Sequence, residues 1–375
     1  MRRRTVPQHR PAARADGEIT PGKPIKFNPR ERPLETEAAF CFPISRIYLR
    51  KIPCGLRFAL MMSSISSGLK CRLPRQTKVR LGPSGIHIFD RLSGLNLLVD
   101  ELVPPEASWA AAPRQISIAL TNVCDLACTY CFAPKTPAML AFDSIVSWLS
   151  ELDANGTIGV GFGGGEPTFY RKFVEPCSYA ANETRLAVTF TTHGHHLNDK
   201  LIAGLKGNVH FIRISMDGVN ATYERLRGRS FEALKQRMNA VKRIAPFGIN
   251  YVVNSDTVHD LDAAAELAAV SGAAEILLLP EQPVNSSGGI DRNTTQALQN
   301  WVSQYAGKVR LAVSERGAEG LPTCNPLESE IGLRAYAHVA ADGTLKCTSY
   351  EHEGVAIGSS GIMSALRQLQ TIKTL

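Results

Sequence analysis

Apolar residues recur with two different spacings along the chain after residue 113. Between the strand-like runs, apolar positions recur at helical spacing in segments 142–152, 231–244 and 261–269. The runs themselves are short, rich in β-branched and aromatic residues, and of the length typical of buried strands. They are 116–120, 158–162, 186–191, 210–214, 249–253 and 275–279.

Strands that alternate with helices predict a parallel sheet with right-handed crossovers. We therefore predict an α/β fold, a partial (β/α)6 TIM-like barrel over residues 114–310. In such a fold, the loops that leave the carboxyl ends of the strands build the active site.

The flanking regions predict smaller elements. Residues 76–113 are predicted to form an N-terminal β hairpin and a linker, because 85–89 alternates and 95–99 can pair with it around Ser93 and Gly94. Residues 311–375 are predicted to form a C-terminal cap. Residues 1–75 show no clean periodicity and are rich in Pro and Arg at their start, so we interpret them as a disordered or unassigned basic leader.

The charge of the chain is unevenly distributed. The 375 residues carry 42 Lys and Arg against 34 Asp and Glu, a formal net charge of +8. The first 80 residues hold 18 of the basic and 5 of the acidic groups, so the remaining chain is mildly acidic. The high overall basicity is therefore poor support for a nucleic-acid partner. The sequence contains no run of about 18 apolar residues, and we expect no membrane span.

Three of the nine cysteines lie close together, directly after the first predicted strand. Cys124, Cys128 and Cys131 are separated by gaps of three and two residues. Nine cysteines in a chain of this length do not indicate a disulfide scaffold, so the group favours metal ligation in a reducing compartment, and we expect the protein to be cytoplasmic. Three thiolates can hold one small iron–sulfur cluster while leaving an iron open. A zinc site and three idle thiols are the alternatives, although structural zinc prefers four ligands.

The loop of Cys124, Cys128 and Cys131 resembles the hallmark of the radical S-adenosylmethionine (SAM) superfamily. The resemblance implies a 4Fe–4S cluster on these cysteines and SAM chelated to the open iron. It also implies that an electron from the cluster cleaves SAM to a 5′-deoxyadenosyl radical, which abstracts hydrogen from a substrate. The cofactors supply this chemistry, and the protein orients them and excludes competing reactions.

Further motifs resemble cofactor-binding elements of the same family. Gly163 to Thr168 is similar to the segment that holds the methionyl amino group, although a Gly-rich turn alone indicates only a tight turn. Ser215 and Asp217 are similar to an SxDG element that binds ribose hydroxyls, and their alternative is a helix cap or turn. Tyr130 matches an aromatic near adenine, with core packing as its alternative. The predicted cofactor-binding residues are Tyr130, Gly164, Gly165, Glu166, Pro167, Ser215, Asp217 and Asn254.

A cluster of histidines departs from the family pattern. Relatives often carry Thr-Asn-Gly where this chain has Thr192, His193 and Gly194, followed by His195 and His196. Histidines at an active-site face can transfer protons, and His193 is the candidate for that role. Exposed histidines without a function, or a zinc site, are the alternatives.

The C-terminal region resembles the opening of a SPASM-type domain, which carries auxiliary clusters in many peptide-modifying enzymes. The similarity covers Cys324, the segment 340–347 that ends at Cys347, and 355–358. Two cysteines are too few for a cluster, so we predict a truncated SPASM-like cap that has none.

Together these features predict a radical SAM enzyme that modifies a ribosomally made precursor peptide (a RiPP maturase). Its expected partners are that peptide and a reductant such as flavodoxin or ferredoxin. Two alternatives stay open at this point. One is a radical SAM enzyme acting on a small molecule in cofactor or nucleoside metabolism. The other is a degenerate, non-catalytic scaffold or a zinc-binding protein.

Overall fold

The computed structural model describes residues 34–37, 44–45, 74–284, 288–314 and 317–374. All of them belong to one unit, Pro33–Leu375. The strands are β1 Leu34–Glu37, β2 Ile44–Ser45, β3 Thr77–Gly82, β4 Gly85–Asp90, β5 Asn96–Val99, β6 Gln115–Thr121, β7 Gly159–Gly164, β8 Ala187–Thr192, β9 Phe211–Ser215, β10 Phe247–Val253, β11 Glu275–Pro280, β12 Arg310–Ser314, β13 Thr323–Cys324, β14 Tyr336–Val339, β15 Thr344–Lys346 and β16 Val355–Ala356.

Helices connect most of the parallel strands. They are α1 Phe142–Ala154, α2 Val174–Glu183, α3 Asp199–Leu205, α4 Asn220–Arg227, α5 Phe231–Val241, α6 Leu261–Val270, α7 Arg292–Gln304 and α8 Ile362–Thr374. Short 3₁₀ helices lie at Glu106–Ser108, Pro167–Phe169, Val258–Asp260 and Gly332–Arg334. In the described part of the chain, no helix is long and apolar enough to cross a bilayer.

The large sheet is mostly parallel and follows the order β13-β1-β12-β11-β10-β9-β8-β7-β6-β14-β15-β16. Neighbours from β6 to β12 pair in parallel, which confirms the six predicted strands as β6 to β11. The three predicted helices are confirmed as α1, α5 and α6. The edge strands β13 and β16 do not pair with each other, so the sheet is open, as a partial barrel requires.

The sheet extends beyond the six predicted strands at both ends. β12 continues it past β11, and the predicted boundary at residue 311 falls inside this strand. At the other end β14 pairs in parallel with β6, and β15 and β16 add antiparallel neighbours. The C-terminal segment therefore continues the central sheet rather than forming a separate layer.

Burial of both faces of the sheet explains why the strands have continuous apolar sequences. Ile116, Ile118 and Leu120 of β6 are fully buried, although they alternate with other positions. Helices cover the sheet with buried faces such as Ile145 and Leu149 of α1. Parallel strands covered by helices have both faces away from water, and this favours apolar residues at successive positions.

A smaller sheet forms the N-terminal β element. Its order is β2-β5-β4-β3, and the pairing of β4 with β5 confirms the predicted hairpin. Buried cations attach this sheet to the main body: Lys78 to Asp153, Arg80 to Glu330, and Arg91 to backbone carbonyls at 181–186. The predicted leader 1–75 lies outside the described residues, apart from β1, β2 and residues 74–75.

Candidate active site

The cysteine loop and the glycine loop lie side by side at the carboxyl ends of β6 and β7. The amide of Gly165 donates to the carbonyl oxygen of Thr121 at 2.7 Å. The amide of Glu166 donates to the carbonyl oxygen of Val123 at 2.8 Å. These two bonds join motifs that are about 40 residues apart in sequence, which places both at the edge where a parallel sheet builds its site.

Close approach of the two loops depends on glycine. Gly164 has φ +128°, a conformation that residues with a side chain rarely adopt, and a Cβ there would overlap the carbonyl oxygen of Thr121. A Cβ on Gly165 would overlap the carbonyl oxygen of Val123 and would lie 2.6 Å from that of Asn122. Around Gly163, by contrast, a Cβ would meet no atom within 4 Å.

The three thiols differ in exposure, and the Cys131 thiol affects the pKa of the other two. Cys128 is buried, whereas Cys124 and Cys131 are half-buried. Burial raises the pKa of Cys124 and Cys128, and the neighbouring Cys131 thiol adds to that effect. Free thiols in this setting stay protonated, so a positively charged iron core is what would stabilise the thiolates.

A cavity of about 460 Å³ opens beside the cysteine loop. Cys128, Cys131 and Gly164 line one side of it. Residues from β14 and the loop after β15 also line it, among them His338 and Tyr350. A molecule in this cavity would contact both the cysteine loop and the C-terminal segment.

Glu166 is buried, and its carboxylate is held by neighbouring groups. Oε1 accepts hydrogen bonds from the Thr168 amide at 3.2 Å, the Thr168 hydroxyl at 2.6 Å and the Thr192 hydroxyl at 2.7 Å. Oε2 accepts from the amide of His193 at 3.0 Å. Pro167 follows it as the first residue of a 3₁₀ turn. The structure thus brings together Gly164 to Pro167 as the sequence predicted, and their contact with a methionyl group stays a prediction.

The histidine cluster faces a carboxylate of the cysteine loop. His193 Nε2 lies 3.0 Å from Asp125 Oδ1, and His196 Nε2 lies 3.1 Å from Asp125 Oδ2. His195 instead bonds the Tyr223 hydroxyl at 3.0 Å. Burial lowers the pKa of His193, while the carboxylates of Glu166 and Asp125 oppose that shift. His193 is therefore held against the cysteine loop, and its role in proton transfer stays a prediction.

A zinc ion would find one group of ligands among the described residues. Cys124, Asp125 and His193 place their ligand atoms within 4.8 Å of one another. This group includes only one of the three cysteines, so it does not explain the spacing of the triplet. The zinc alternative thus leaves Cys128 and Cys131, which line the cavity, without a role.

Asp217 is fully buried and already engaged by protein groups. Its Oδ1 accepts from the Val252 amide at 2.8 Å, and its Oδ2 accepts from the Tyr130 hydroxyl at 2.7 Å. Arg227 forms an ion pair with the same oxygen. These contacts give Asp217 and Tyr130 a structural role in the described state, and their contacts with ribose and adenine stay predictions.

Ser215 and Asn254, the other two residues predicted to contact the ribose, differ in whether their side chains already form hydrogen bonds. Within the described ranges, the hydroxyl of Ser215 at the end of β9 has no side-chain hydrogen bond, so it is available to a ligand. The Asn254 side chain donates to Glu281 at 2.7 Å and accepts from the amides of Asp256 and Thr257. Asn254 therefore orders its own turn, and its contact with a cofactor stays a prediction.

Sequence reasoning missed a polar network that reaches the cavity through His338. Ser117 Oγ lies 2.5 Å from the Tyr336 hydroxyl and 2.6 Å from His338 Nδ1, across the β6–β14 pairing. Burial lowers the pKa of His338 to about 4, so the ring is neutral at pH 7. No local motif marks His338, because only the pairing of β14 with β6 brings it to the cavity.

Comparison with known proteins identifies the family of the region that contains this site. The family described as the Radical SAM superfamily matches residues 118–268, a range that includes the three cysteines, the glycine loop, the histidines and Asp217. Residues 118–268 are a radical SAM domain. Radical SAM domains use a 4Fe–4S cluster and SAM, and the residues here fit both. Three thiols at the required spacing adjoin a glycine loop that admits no side chains at positions 164 and 165.

This chain is also similar to curated proteins over part of their length. It is 28% identical over 170 residues to the sporulation killing factor maturation protein SkfB of Bacillus subtilis, covering 43% of this chain and 41% of that protein. It is 30% identical over 172 residues to the mycofactocin maturase MftC of Mycolicibacterium smegmatis, covering 43% of each. The similarity thus spans less than half the length of these relatives.

The fold is similar to that of a solved protein over a longer range. The structure of Streptococcus suis SuiB bound to the precursor peptide SuiA superposes with a TM-score of 0.61 at 12% identity. The superposition covers 78% of this chain and 88% of that one. At this identity the likeness shows a shared fold, and it confirms the predicted architecture.

Proposed function

We propose that the protein is a radical SAM enzyme that modifies a ribosomally made precursor peptide. The observation that carries the proposal is the cavity of about 460 Å³ that the cysteine loop shares with the C-terminal segment. A substrate there would lie beside Cys128 and Cys131 and would be held by residues outside the radical SAM domain. The relatives support a peptide as that substrate, because two are named as maturation proteins and SuiB is bound to a precursor peptide.

Different residues of the chain would bind the cluster and SAM in such a reaction. Cys124, Cys128 and Cys131 would hold the cluster as thiolates, and the glycine loop would receive the methionyl end of SAM. When bound, these cofactors supply hydrogen abstraction by a 5′-deoxyadenosyl radical. Glu166 is fixed by its hydrogen bonds and offers a buried carboxylate to an ammonium group.

The walls of the cavity orient the substrate. His338 is held by Ser117, and its Nε2 has no hydrogen-bond partner in the described part of the chain, so it can bond a polar group of the substrate. The electron donor in this proposal is an external reductant such as flavodoxin or ferredoxin. The location in this proposal is the cytoplasm, whose reducing conditions keep cluster thiolates from forming disulfides.

The test is anaerobic incubation of the reconstituted protein with SAM, dithionite and a synthetic copy of a small peptide encoded beside the gene. We expect 5′-deoxyadenosine to form together with a change in peptide mass, a loss of about two hydrogens if a crosslink is made. Cys131→Ala should abolish both products, whereas the matched control Cys324→Ala, at an exposed cysteine, should retain them. Cofactor cleavage that couples to a metabolite and never to the peptide would contradict the peptide assignment.

A further inference from the structure

A buried ion pair lies behind the cysteine loop. Asp217 follows β9 and has no exposed surface, and Arg227 at the end of α4 has a side chain only 12% exposed. The two side chains form an ion pair. The Tyr130 hydroxyl and the Val252 amide also donate to Asp217, so the carboxylate is fixed and fixes the guanidinium in turn.

The same guanidinium reaches a cysteine of the predicted cluster site. Arg227 Nη1 lies 3.6 Å from Cys128 Sγ, within the range of an N–H···S hydrogen bond. The guanidinium carbon also lies 5.8 Å from the centre of the Tyr130 ring, one residue before Cys131. Arg227 is thus held between a carboxylate and a thiol, with little freedom to turn away from either.

Hydrogen bonds to cluster sulfurs and nearby charge are what set the potential of an iron–sulfur cluster. One-electron reduction adds negative charge to the cluster. An N–H donor on a thiolate ligand and a cation beside it both stabilise the reduced form, more strongly in a buried setting. Asp217 acts in the opposite direction, but its carboxylate is separated from the thiol by the guanidinium that it binds.

We propose that Arg227, positioned by Asp217, raises the reduction potential of the cluster held by Cys124, Cys128 and Cys131. This inference rests on the proposed function, because it requires that cluster. Arg227 acts through Cys128 and is a positioning residue rather than a catalytic one. The electron itself comes from the external reductant.

The test is a redox titration of the full chain, reconstituted anaerobically and followed by electron paramagnetic resonance without SAM. Arg227→Gln and Arg227→Lys, which lose the fork that bridges Asp217 and Cys128, should make the cluster harder to reduce. We expect about a tenfold change in the equilibrium constant, which is about 59 mV for one electron. Asp217→Asn, which weakens the hold on Arg227, should shift the potential in the same direction as the Arg227 variants. The matched control is Arg225→Gln, on the same helix but exposed and paired with Asp256, and it should leave the potential unchanged.

The outcomes separate this inference from the proposed function. A wild-type protein that binds no cubane would overturn both. A cubane whose potential is the same in the wild type, the Arg227 variants and Asp217→Asn would overturn the inference alone. The same holds if the Arg227 variants weaken SAM binding at an unchanged potential, since Arg227 would then be a cofactor ligand. If Arg227→Gln fails to retain iron, Arg227→Lys and Asp217→Asn decide, because both should make the cluster harder to reduce and an unshifted potential in both would overturn the inference.

Discussion

Position 165 has no room for any side chain. A methyl group there would press on the carbonyl oxygens of Asn122 and Val123, which belong to the backbone of the cysteine loop and cannot rotate away. Position 163, two residues earlier in the same loop, has open space around the place of a Cβ. The sequence does not distinguish the two glycines, but the structure has space for a side chain at position 163 and none at position 165.

We therefore expect Gly165→Ala to displace the cysteine loop and lose most of its bound iron. Overpacking of this kind also costs about 1–3 kcal/mol of unfolding free energy. Gly163→Ala, the matched control, should bind as much iron as the wild type. The measurement is iron per chain after anaerobic reconstitution. Equal iron in the two variants would show that the contact between the loops does not shape the cluster site.

At the residue scale, the sequence predicts what is local. The cysteine triplet and the glycine loop are contiguous motifs, so the sequence alone indicates their chemistry. It does not indicate Arg227 or His338, because each reaches the site only through tertiary contacts, with Cys128 and with Ser117. The sequence also does not predict the buried ion pair between Asp217 and Arg227. An SxDG motif is compatible with a carboxylate that contacts a ligand and with one that contacts an arginine.

At the scale of elements, the small N-terminal sheet is attached to the main body by buried polar contacts. Arg80 Nε donates to Glu330 at 2.6 Å, and its Nη atoms donate to the carbonyl oxygens of Ala112, Gly156 and Arg334. Both side chains of this pair are almost completely buried. One residue thus joins β3, the linker, the end of α1 and the segment before β14.

Breaking this pair should destabilise the whole fold. We expect Arg80→Met to lower the free energy of unfolding by about 3 kcal/mol, because buried Glu330 loses Arg80 and keeps only Arg114 as a cationic partner. Arg243→Ala breaks an exposed pair with Asp199 and should cost less than about 1 kcal/mol. Urea unfolding of the cluster-free protein measures both. A similar loss of unfolding free energy in the two variants would contradict a stabilising role for the buried Arg80–Glu330 pair.

The elements predicted from the sequence were those with strong periodicity. β6 to β11 are apolar runs between helices, and the structure confirms them within two or three residues. β12 was missed because Arg310 shortens its apolar run to a few residues. The pairing of β14 with β6 was also missed, since contact between residues more than 200 positions apart leaves no periodic signal.

At the scale of the whole molecule, buried histidines make stability depend on pH. Burial lowers the pKa of His87 to about 3 and that of His210 and His338 to about 4, from a usual value of 6.5. The folded protein therefore holds these rings neutral where the unfolded chain protonates them. This contribution is complete above pH 6.5 and is lost as the pH falls from about 6.5 to about 4 for His210 and His338, and to about 3 for His87.

We expect each of these histidines to remove about 2 kcal/mol of unfolding free energy between pH 7 and pH 5. His210→Asn keeps an acceptor near the place of Nδ1, which accepts from the Val188 amide, and removes the titrating ring. In urea unfolding, the decrease in the free energy of unfolding from pH 7 to pH 5 should be smaller in this variant than in the wild type by about 2 kcal/mol. His352→Gln, at an exposed position, is the control. A pH dependence unchanged by His210→Asn would contradict the assignment.

Two cysteines, Cys324 and Cys347, remain as candidate cluster ligands, and two thiols are too few for a cluster. Cys324 lies in β13 and Cys347 follows β15, and these strands stand near opposite ends of the sheet order. Cys177 is fully buried in α2, and burial raises the pKa of its thiol, so it is not poised to bind metal. A single cluster on the triplet is therefore the central claim for the described part of the chain.

Iron content and 5′-deoxyadenosine formation, measured together, show whether the cysteine triplet holds one cluster and cleaves SAM. The wild type, reconstituted anaerobically, should bind about four iron per chain and release 5′-deoxyadenosine from SAM under dithionite. Replacing Cys124, Cys128 and Cys131 together by alanine should remove nearly all the iron and all the product. Replacing Cys324 and Cys347 should change either quantity little. A triple variant that keeps a full cubane would contradict the single cluster, and a wild type that binds zinc and cleaves no SAM would contradict the radical chemistry itself.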